Sequence, residues 1–495
     1  MTEIKKLAGQ TAYYGISSIL GRMLNFLLLP LWTAQLPVAE YGAVTNLYAY
    51  TALLNIIYTY GLETGYFRFT TRDKSSDAYH YTSTAIIITS LVFSGTLIFT
   101  ADNIAFFLKE GIQSEYVVYL ALILFIDAIV AIPFAKLRLD QRPVKFVLIR
   151  SSVIVLTVIL NLLFLLVFPA ISAGKYLLGL QEFVNRVYDP SIGIEYIFIA
   201  NLMANALYLP CLWKEFASLK LKINFKAFKP ILAYAIPIFI MGIAGIINER
   251  GYAIIMPYID IDGLSALGKY DGAFKLSVIM MLGIQAFRYA GEPFFFSHAD
   301  NKKAPALFAK IMHYFVIFNL VVLVGVALNV NLIADIILQR PGYKEALFVL
   351  PILLLAKLFY GVYVNLSVWF KIKDKTIFGT YIAGIGAVIT LVGNLLLIPL
   401  IGWSGSAFTS LACYLVMCIL CYKKGRIYFK VPYNFKPLFG YLVLALVFIY
   451  VGQIIELSNQ WMNYGVSLGI SGIYVALMYL FEGKNLKYKS VDNAG

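Results

Sequence analysis

The sequence predicts an all-α polytopic membrane protein of about fourteen transmembrane helices, built as two six-helix lobes in parallel repeat with two further helices after them. Three observations carry this. Of the 495 residues, 61% are hydrophobic and only 13% charged, with a mean hydropathy of +0.79, a balance that soluble domains do not have. Apolar runs recur from end to end, each of about 20 residues and long enough to cross a hydrocarbon core of roughly 30 Å. The Lys and Arg residues gather in every second loop, as the positive-inside rule requires of a multi-pass protein.

In chain order the spans are expected at about 11–36, 42–67, 81–101, 115–135, 146–168, 192–213, 230–257, 264–297, 306–334, 346–370, 376–399, 403–422, 437–457 and 461–481. An even number puts both termini on one side. The N-terminus, the tail and the loops on that side hold twenty-eight basic residues, among them Arg68, Arg72 and Lys74, the five lysines of 214–229, and Lys423, Lys424 and Arg426. The opposite loops hold five: Lys109, Lys175, Arg186, Arg340 and Lys344. Both termini are therefore expected in the cytoplasm, and the net charge of +14 reflects loop topology rather than a nucleic-acid partner. The first run has no small-residue cleavage site behind it and reads as a span, not a signal peptide. External loops are short. In the longest, about 169–191, Leu177, Leu180, Phe183, Val184 and Val187 form one apolar face, predicting a short helix at the outer interface.

The chain resembles itself. Pro30 matches Pro257, Tyr41-Gly42 matches Leu267-Gly268, Glu63 matches Glu292, and Arg22 falls one position from the counterpart of Arg250, all at an offset of 226 to 229. This describes a six-helix unit used twice in the same orientation. It divides the chain into an N-lobe at 1–214, a basic cytoplasmic linker at 215–229, a C-lobe at 230–424, and a last segment, 425–495, holding the final two spans and the tail.

Charged residues inside the spans mark the functional region. Arg22 lies twelve residues into its span, about 18 Å deep, where a guanidinium costs at least about 2.5 kcal/mol to insert. Wound as one helix, 271–292 aligns Asp271, Lys275, Gln285, Arg288 and Glu292 on a single stripe. With Glu249 and Arg250 in span seven, Lys269 in span eight, Asp127 in span four and Glu63 in span two, the inward set is five basic and five acidic. Such a stripe faces protein or a water-filled cavity, not lipid. The basic members, Arg22, Arg250, Lys269, Lys275 and Arg288, suit an anion, because a guanidinium fork matches paired oxygens. The acidic members, Glu63, Glu292, Asp127, Asp271 and Glu249, are candidates for coupling or gating. No metal cluster, Walker loop or Ser/His/Asp arrangement is present, so neither a cofactor nor catalysis is expected. Cys418 and Cys421 have a CxxC spacing but lie in an apolar run without companions, and read as buried small hydrophobes.

The opening segment resembles the Wzx-type polysaccharide and O-antigen flippases of the multidrug/oligosaccharidyl-lipid/polysaccharide exporter superfamily. The marks are Gly21-Arg22, Asn25-Phe26 and Pro30 in the first span, then the turn Glu40-Tyr41-Gly42 into the second. The resemblance implies two lobes around a cavity in the bacterial cytoplasmic (inner) membrane. It implies flipping of an undecaprenyl-diphosphate-linked oligosaccharide from the cytoplasmic to the periplasmic leaflet by alternating access. It also implies membrane lipids, a polysaccharide polymerase and chain-length proteins as partners. Lipid II flippases are similar, but the pattern they carry after span two is replaced here by GLETGYFRF at 61–69. A cation-coupled drug antiporter of the same superfamily would favour carboxylates without bases. A membrane glycan polymerase or ligase would need a large external loop.

Overall fold

The computed structural model describes residues 26–73, 75, 77–108, 111–299, 301–455 and 457–491. They are almost entirely helical, with no strand among them. The helices used below are α1 (Leu29–Gln35), α2 (Val38–Thr59), α3 (Leu62–Thr71), α4 (Ala78–Phe99), α5 (Ser114–Leu139), α6 (Pro143–Leu162), α7 (Gln181–Val187), α8 (Glu195–Ala206), α9 (Phe225–Ile259), α10 (Gly263–Leu276), α11 (Val278–His298), α12 (Ala304–Leu328), α13 (Val330–Ile337), α14 (Leu350–Leu366), α15 (Ile377–Ile401), α16 (Gly405–Tyr428), α17 (Phe435–Ile454) and α18 (Gln460–Val491). Among the described residues, nine helical stretches are long and apolar enough to cross a membrane. Their outer faces carry fully apolar side chains such as Leu91, Phe99, Leu148, Val388 and Val447 in exposed positions, which water would not tolerate at this density and lipid does. The protein is a multi-pass membrane protein.

Several expected spans are broken into successive helices, among them spans two and eight. Span two ends as a helix at Thr59, because Tyr60 and Gly61 take positive φ values of 29° and 74° and the chain restarts as α3. Glu63 therefore lies in the first turn of α3 and not in α2. Span eight is interrupted at Ser277, whose N–H bonds to the Phe274 carbonyl three residues back while its hydroxyl takes the same oxygen at 2.6 Å. This tightened turn separates α10 from α11, so 271–292 is not one uninterrupted helix. The short loop helix is present as α7: Val184 turns inward, while Leu177, Leu180, Phe183 and Val187 stay exposed.

The chain packs as two compact units, one of residues 1–271 with 383–403, the other of 272–382 with 404–495. In the first unit α9 is the spine. Asn224 caps it by accepting from the Ala227 N–H at 3.2 Å. Its 35 residues run about 50 Å, longer than a bilayer core. Pro230, Pro237 and Pro257 interrupt its hydrogen-bond ladder. Helix α15 lies against it, with Asn248 Nδ2 donating to the Ala383 carbonyl at 3.1 Å. In the second unit, α12, α14, α16 and α17 enclose an apolar cavity of about 380 Å³ lined by Met312, Phe359, Leu415, Tyr422 and Phe439 among others. Cys418 and Cys421 are buried and free, Cys418 donating to the Phe359 carbonyl.

Candidate functional site

The site grows from one crossing in the first unit. Pro37 starts α2, whose first three turns are buried on nearly every side, from Tyr41 to Ala49 apart from Tyr48. Helix α10 crosses it at glycine. A Cβ on Gly42 would collide with the carbonyl of Leu264, and a Cβ on Gly268 would collide with the carbonyl of Val38. Only glycine allows backbones this close. Leu264 precedes Gly268 by one turn, as Val38 precedes Gly42. The two repeat-related glycines thus meet in a near two-fold arrangement, each lying on the residue one turn before the other.

One turn beyond the glycines, on both helices, stand Thr45 and Asp271, which share the 226-residue offset. They touch. Asp271 is fully buried. Its Oδ2 accepts from the Tyr41 hydroxyl at 2.7 Å and the Thr45 hydroxyl at 3.1 Å, and its Oδ1 from the Tyr252 hydroxyl at 2.6 Å. The Arg250 guanidinium stands 3.7 Å from Oδ1. A carboxylate sealed from water is very costly unless it is hydrogen-bonded and matched in charge; here it is both. Arg250 keeps about 26% of its side chain exposed while Asp271 has none. Two further bonds extend the contact of α2 with α9: Asn46 Nδ2 donates to the Ala253 carbonyl at 2.7 Å, and the hydroxyls of Tyr50 and Tyr258 lie 3.1 Å apart.

The other sequence-derived candidates disperse. Lys269, on α10, pairs with Asp262 at 3.5 Å in the loop before it. Glu249 is half-buried beside Arg250. Asp127, on α5, accepts from Asn205 Nδ2 of α8 at 2.9 Å, near Tyr48, whose hydroxyl accepts from Asn201 at 3.0 Å. Glu63 pairs with Arg138 of α5. In the second unit Lys275 is buried on α10 and Arg288 exposed on α11. Arg22, with Tyr14, Ser18 and Asn25, lies outside the described residues, as does the side chain of Glu292 on α11. The structure therefore joins Arg250 to Asp271 and keeps Glu63 and Asp127 in separate contacts. Reading the sequence missed Tyr41, Thr45 and Tyr252 as partners of Asp271. It also missed the burial of Lys357, whose ammonium lies 4.3 Å over the Phe274 ring.

The opposite end of α9 meets α3. A Cβ on Gly61 would approach the Ala235 carbonyl at 2.7 Å, and one on Gly65 would approach Ile231 Cγ2 at 2.9 Å. Arg68 lies over the Tyr234 ring at 4.2 Å. Nearby, the linker is strapped to α4: Lys222 pairs with Asp77 at 2.7 Å, and the backbone N–H groups of Lys220 and Lys222 bond to His80 and Thr84. The hydrogen bond from Lys222 holds the Asp77 carboxyl below its ordinary value, and reciprocally raises Lys222.

A family of polysaccharide biosynthesis proteins has a sequence model that matches residues 7–297, more than half of the chain. The chain belongs to that family. No curated protein matches it significantly. Among solved structures, the lipid II flippase MurJ in an inward closed conformation is similar over 95% of this chain and 98% of its own, with a TM-score of 0.72 at 13% identity. A multidrug resistance transporter of the MATE family is similar in an inward-facing conformation (TM-score 0.65, 13% identity, 82% of this chain and 94% of that one) and in an outward-facing one (0.58, 14%, 85% and 95%). The polysaccharide biosynthesis protein described here thus has the fold of transporters of the multidrug/oligosaccharidyl-lipid/polysaccharide superfamily. The crossing of α2 and α10 sits inside the segment that defines the family.

Proposed function

We propose that this protein flips a lipid-linked, diphosphate-bearing oligosaccharide across the bacterial cytoplasmic membrane, and that the crossing of α2 with α10 is its outer gate. The observation that carries this is the buried Asp271 held by Tyr41, Thr45, Tyr252 and Arg250 between two glycine-tight helices. Such a contact excludes water completely while assembled, yet is held by directional bonds that a competing anion weakens. The positive-inside distribution puts this end of α2 and α10 on the outer face. The two six-helix lobes, joined by the linker at 215–229, rock so that this crossing opens and closes.

Arg250 is the sensor. A diphosphate arriving from the inside approaches along the part-exposed Arg250 side chain and takes the charge that Asp271 had shared, because a fork of donors prefers paired phosphate oxygens. Asp271 is then a buried carboxylate with a weaker counter-charge, and the gate loosens. Arg22, Lys269, Lys275 and Arg288 supply the remaining positive field, which stands in for the water a diphosphate loses in a low-dielectric layer. Glu63, Glu292, Asp127 and Glu249 are the groups available to couple the cycle to protons. Family membership and the fold support a saccharide and a transporter; a polymerase and chain-length proteins are the expected partners downstream. The short external loops favour transport over polymerisation.

The test is flipping of a purified undecaprenyl-diphosphate oligosaccharide in proteoliposomes. Arg250→Ala reduces the rate at least about a hundredfold, and Arg250→Lys restores only part of it, because lysine lacks the fork. Wild-type rates in Arg250→Ala remove the anion sensor. No flipping by the wild-type protein, with flipping of a neutral lipid-linked glycan intact, removes the diphosphate.

A further inference from the structure

At the end of the second unit formed by α13 and the first turns of α18, a cavity of about 200 Å³ opens. Its floor is apolar, made by Leu328 and Leu332, and its walls are polar. Asp335 anchors it. Lys344 pairs with one carboxylate oxygen; the other accepts from Gln460 Nε2 at 2.7 Å and from the Tyr464 hydroxyl. The loop beside it is locked, since Asn463 exchanges two hydrogen bonds with the Leu457 backbone at 2.7 and 2.9 Å. The Asn331 amide and the Ser467 hydroxyl line the same space. Trp461 stands exposed at the next position after Gln460, edge-on to Tyr464 at 5.8 Å.

This chemistry selects its ligand. The Asp335 charge is already matched by Lys344, so the cavity needs neither a metal ion nor an anion to balance it. Amides, hydroxyls and a fixed carboxylate pair with adjacent hydroxyl groups, which donate and accept together. The apolar floor of Leu328 and Leu332 suits the C–H face of a ring. The three bonds to Asp335 and the two between Asn463 and Leu457 hold the walls in place before any ligand arrives, which lowers the ordering cost of binding. The volume is more than one ordered water requires and matches the scale of a single sugar ring.

We propose that this cavity is an outer-face saccharide site, which holds a ring of the glycan after it has left the transport path. Its placement on the outer face rests on the orientation given under the proposed function. Residues 331–335 and 460–467 take no part in the gate, so this site binds glycan whether or not the gate works.

The experiment titrates the purified full chain in nanodiscs with free glycan, cut by mild acid from the lipid-linked pool of the same cells, and follows heat and tryptophan fluorescence. The expected result is saturable binding that Asn331→Ala with Ser467→Ala weakens at least tenfold. Asn331→Trp, which fills the cavity from its exposed rim without touching the Asp335 bonds, abolishes it even if the double variant folds poorly. Absence of saturable binding to the wild type, or binding undiminished in Asn331→Trp, overturns the site. Flipping measured in parallel separates the two readings: flipping without glycan binding removes this site alone, and glycan binding without flipping removes the transport reading alone.

Discussion

Glycine permits a close helix contact near each end of α9, the outer and the inner end in the proposed orientation, and the chemistry around the glycines differs. At the outer end, α2 meets α10 backbone to backbone at Gly42 and Gly268, and a fully buried carboxylate receives the hydroxyls of Tyr41, Thr45 and Tyr252. At the inner end, Gly61 and Gly65 of α3 lie on Ala235 and Ile231, and the charges nearby are the part-exposed pair Glu63–Arg138 and Arg68 over Tyr234. Hydrogen bonds to a buried charge contribute about 1.5–3 kcal/mol each, while a part-exposed ion pair contributes about 0–1 kcal/mol. The contact at Asp271 is therefore strong and held by charge. The inner contact is steric and weakly held, so it responds to packing more than to charge.

Substitutions that separate the ends sharpen this contrast. The largest effect is expected from Gly42→Val, whose side chain has no space against the Leu264 carbonyl: the outer crossing parts, a cysteine placed at Asn46 becomes reactive to an impermeant maleimide added outside, and flipping falls at least about a hundredfold. Protection of that cysteine in Gly42→Val breaks the comparison. Next comes Asp271→Asn, which keeps the shape but removes the charge shared with Arg250. Losing one charge-assisted interaction of about 2–3 kcal/mol moves the gate equilibrium about 30- to 150-fold toward open, read as the same maleimide rate. Tyr252→Phe removes one hydroxyl and shifts it about tenfold. Gly65→Ala at the inner end is expected to change flipping by less than about threefold, because the Ile231 side chain moves where a backbone carbonyl does not.

The smallest effect concerns the linker strap. A carboxyl held below its ordinary value of 3.8 stabilises above that pH and loses the contribution as pH falls through the lowered value. A lysine held above 10.5 stabilises below that pH and loses the contribution above it. Trypsin cleavage at Lys220 and Lys226 should accordingly stay flat between pH 6 and 9 when corrected for protease activity. Asp77→Asn should raise it by no more than about threefold. A pH-dependent rise inside that window in the wild type contradicts the pairing.

The helical, multi-pass nature of the chain was legible from hydropathy and loop charge alone, since both depend only on composition along the chain. Helix breaks were not. Tyr60-Gly61 and Ser277 interrupt apolar runs without changing their hydropathy, and only backbone conformation reveals them. The candidate site was half legible. Arg250 and Asp271 stood out because charge inside a span is expensive. Their partners Tyr41, Thr45 and Tyr252 did not, because hydroxyls in spans are common and cheap. The repeat held the missing signal: carried three residues beyond Gly42 and Gly268, the 226-residue offset lands on Thr45 and Asp271. Glu63 and Glu292 also match in the repeat, but Glu63 pairs with Arg138 on α5, a partner far along the chain that no local pattern names.

The most direct measurement is the distance between spin labels at Ala39 and Ile261, two exposed outer positions on either side of the crossing, in a protein whose four native cysteines are replaced. The gate account predicts one short distance without substrate and a second, longer population when undecaprenyl-diphosphate oligosaccharide is added. The longer population should appear without substrate in Asp271→Asn and fail to appear with substrate in Arg250→Ala. A distance that stays short in the wild type through a working flipping cycle would show that the crossing of α2 and α10 is a fixed joint and not a gate.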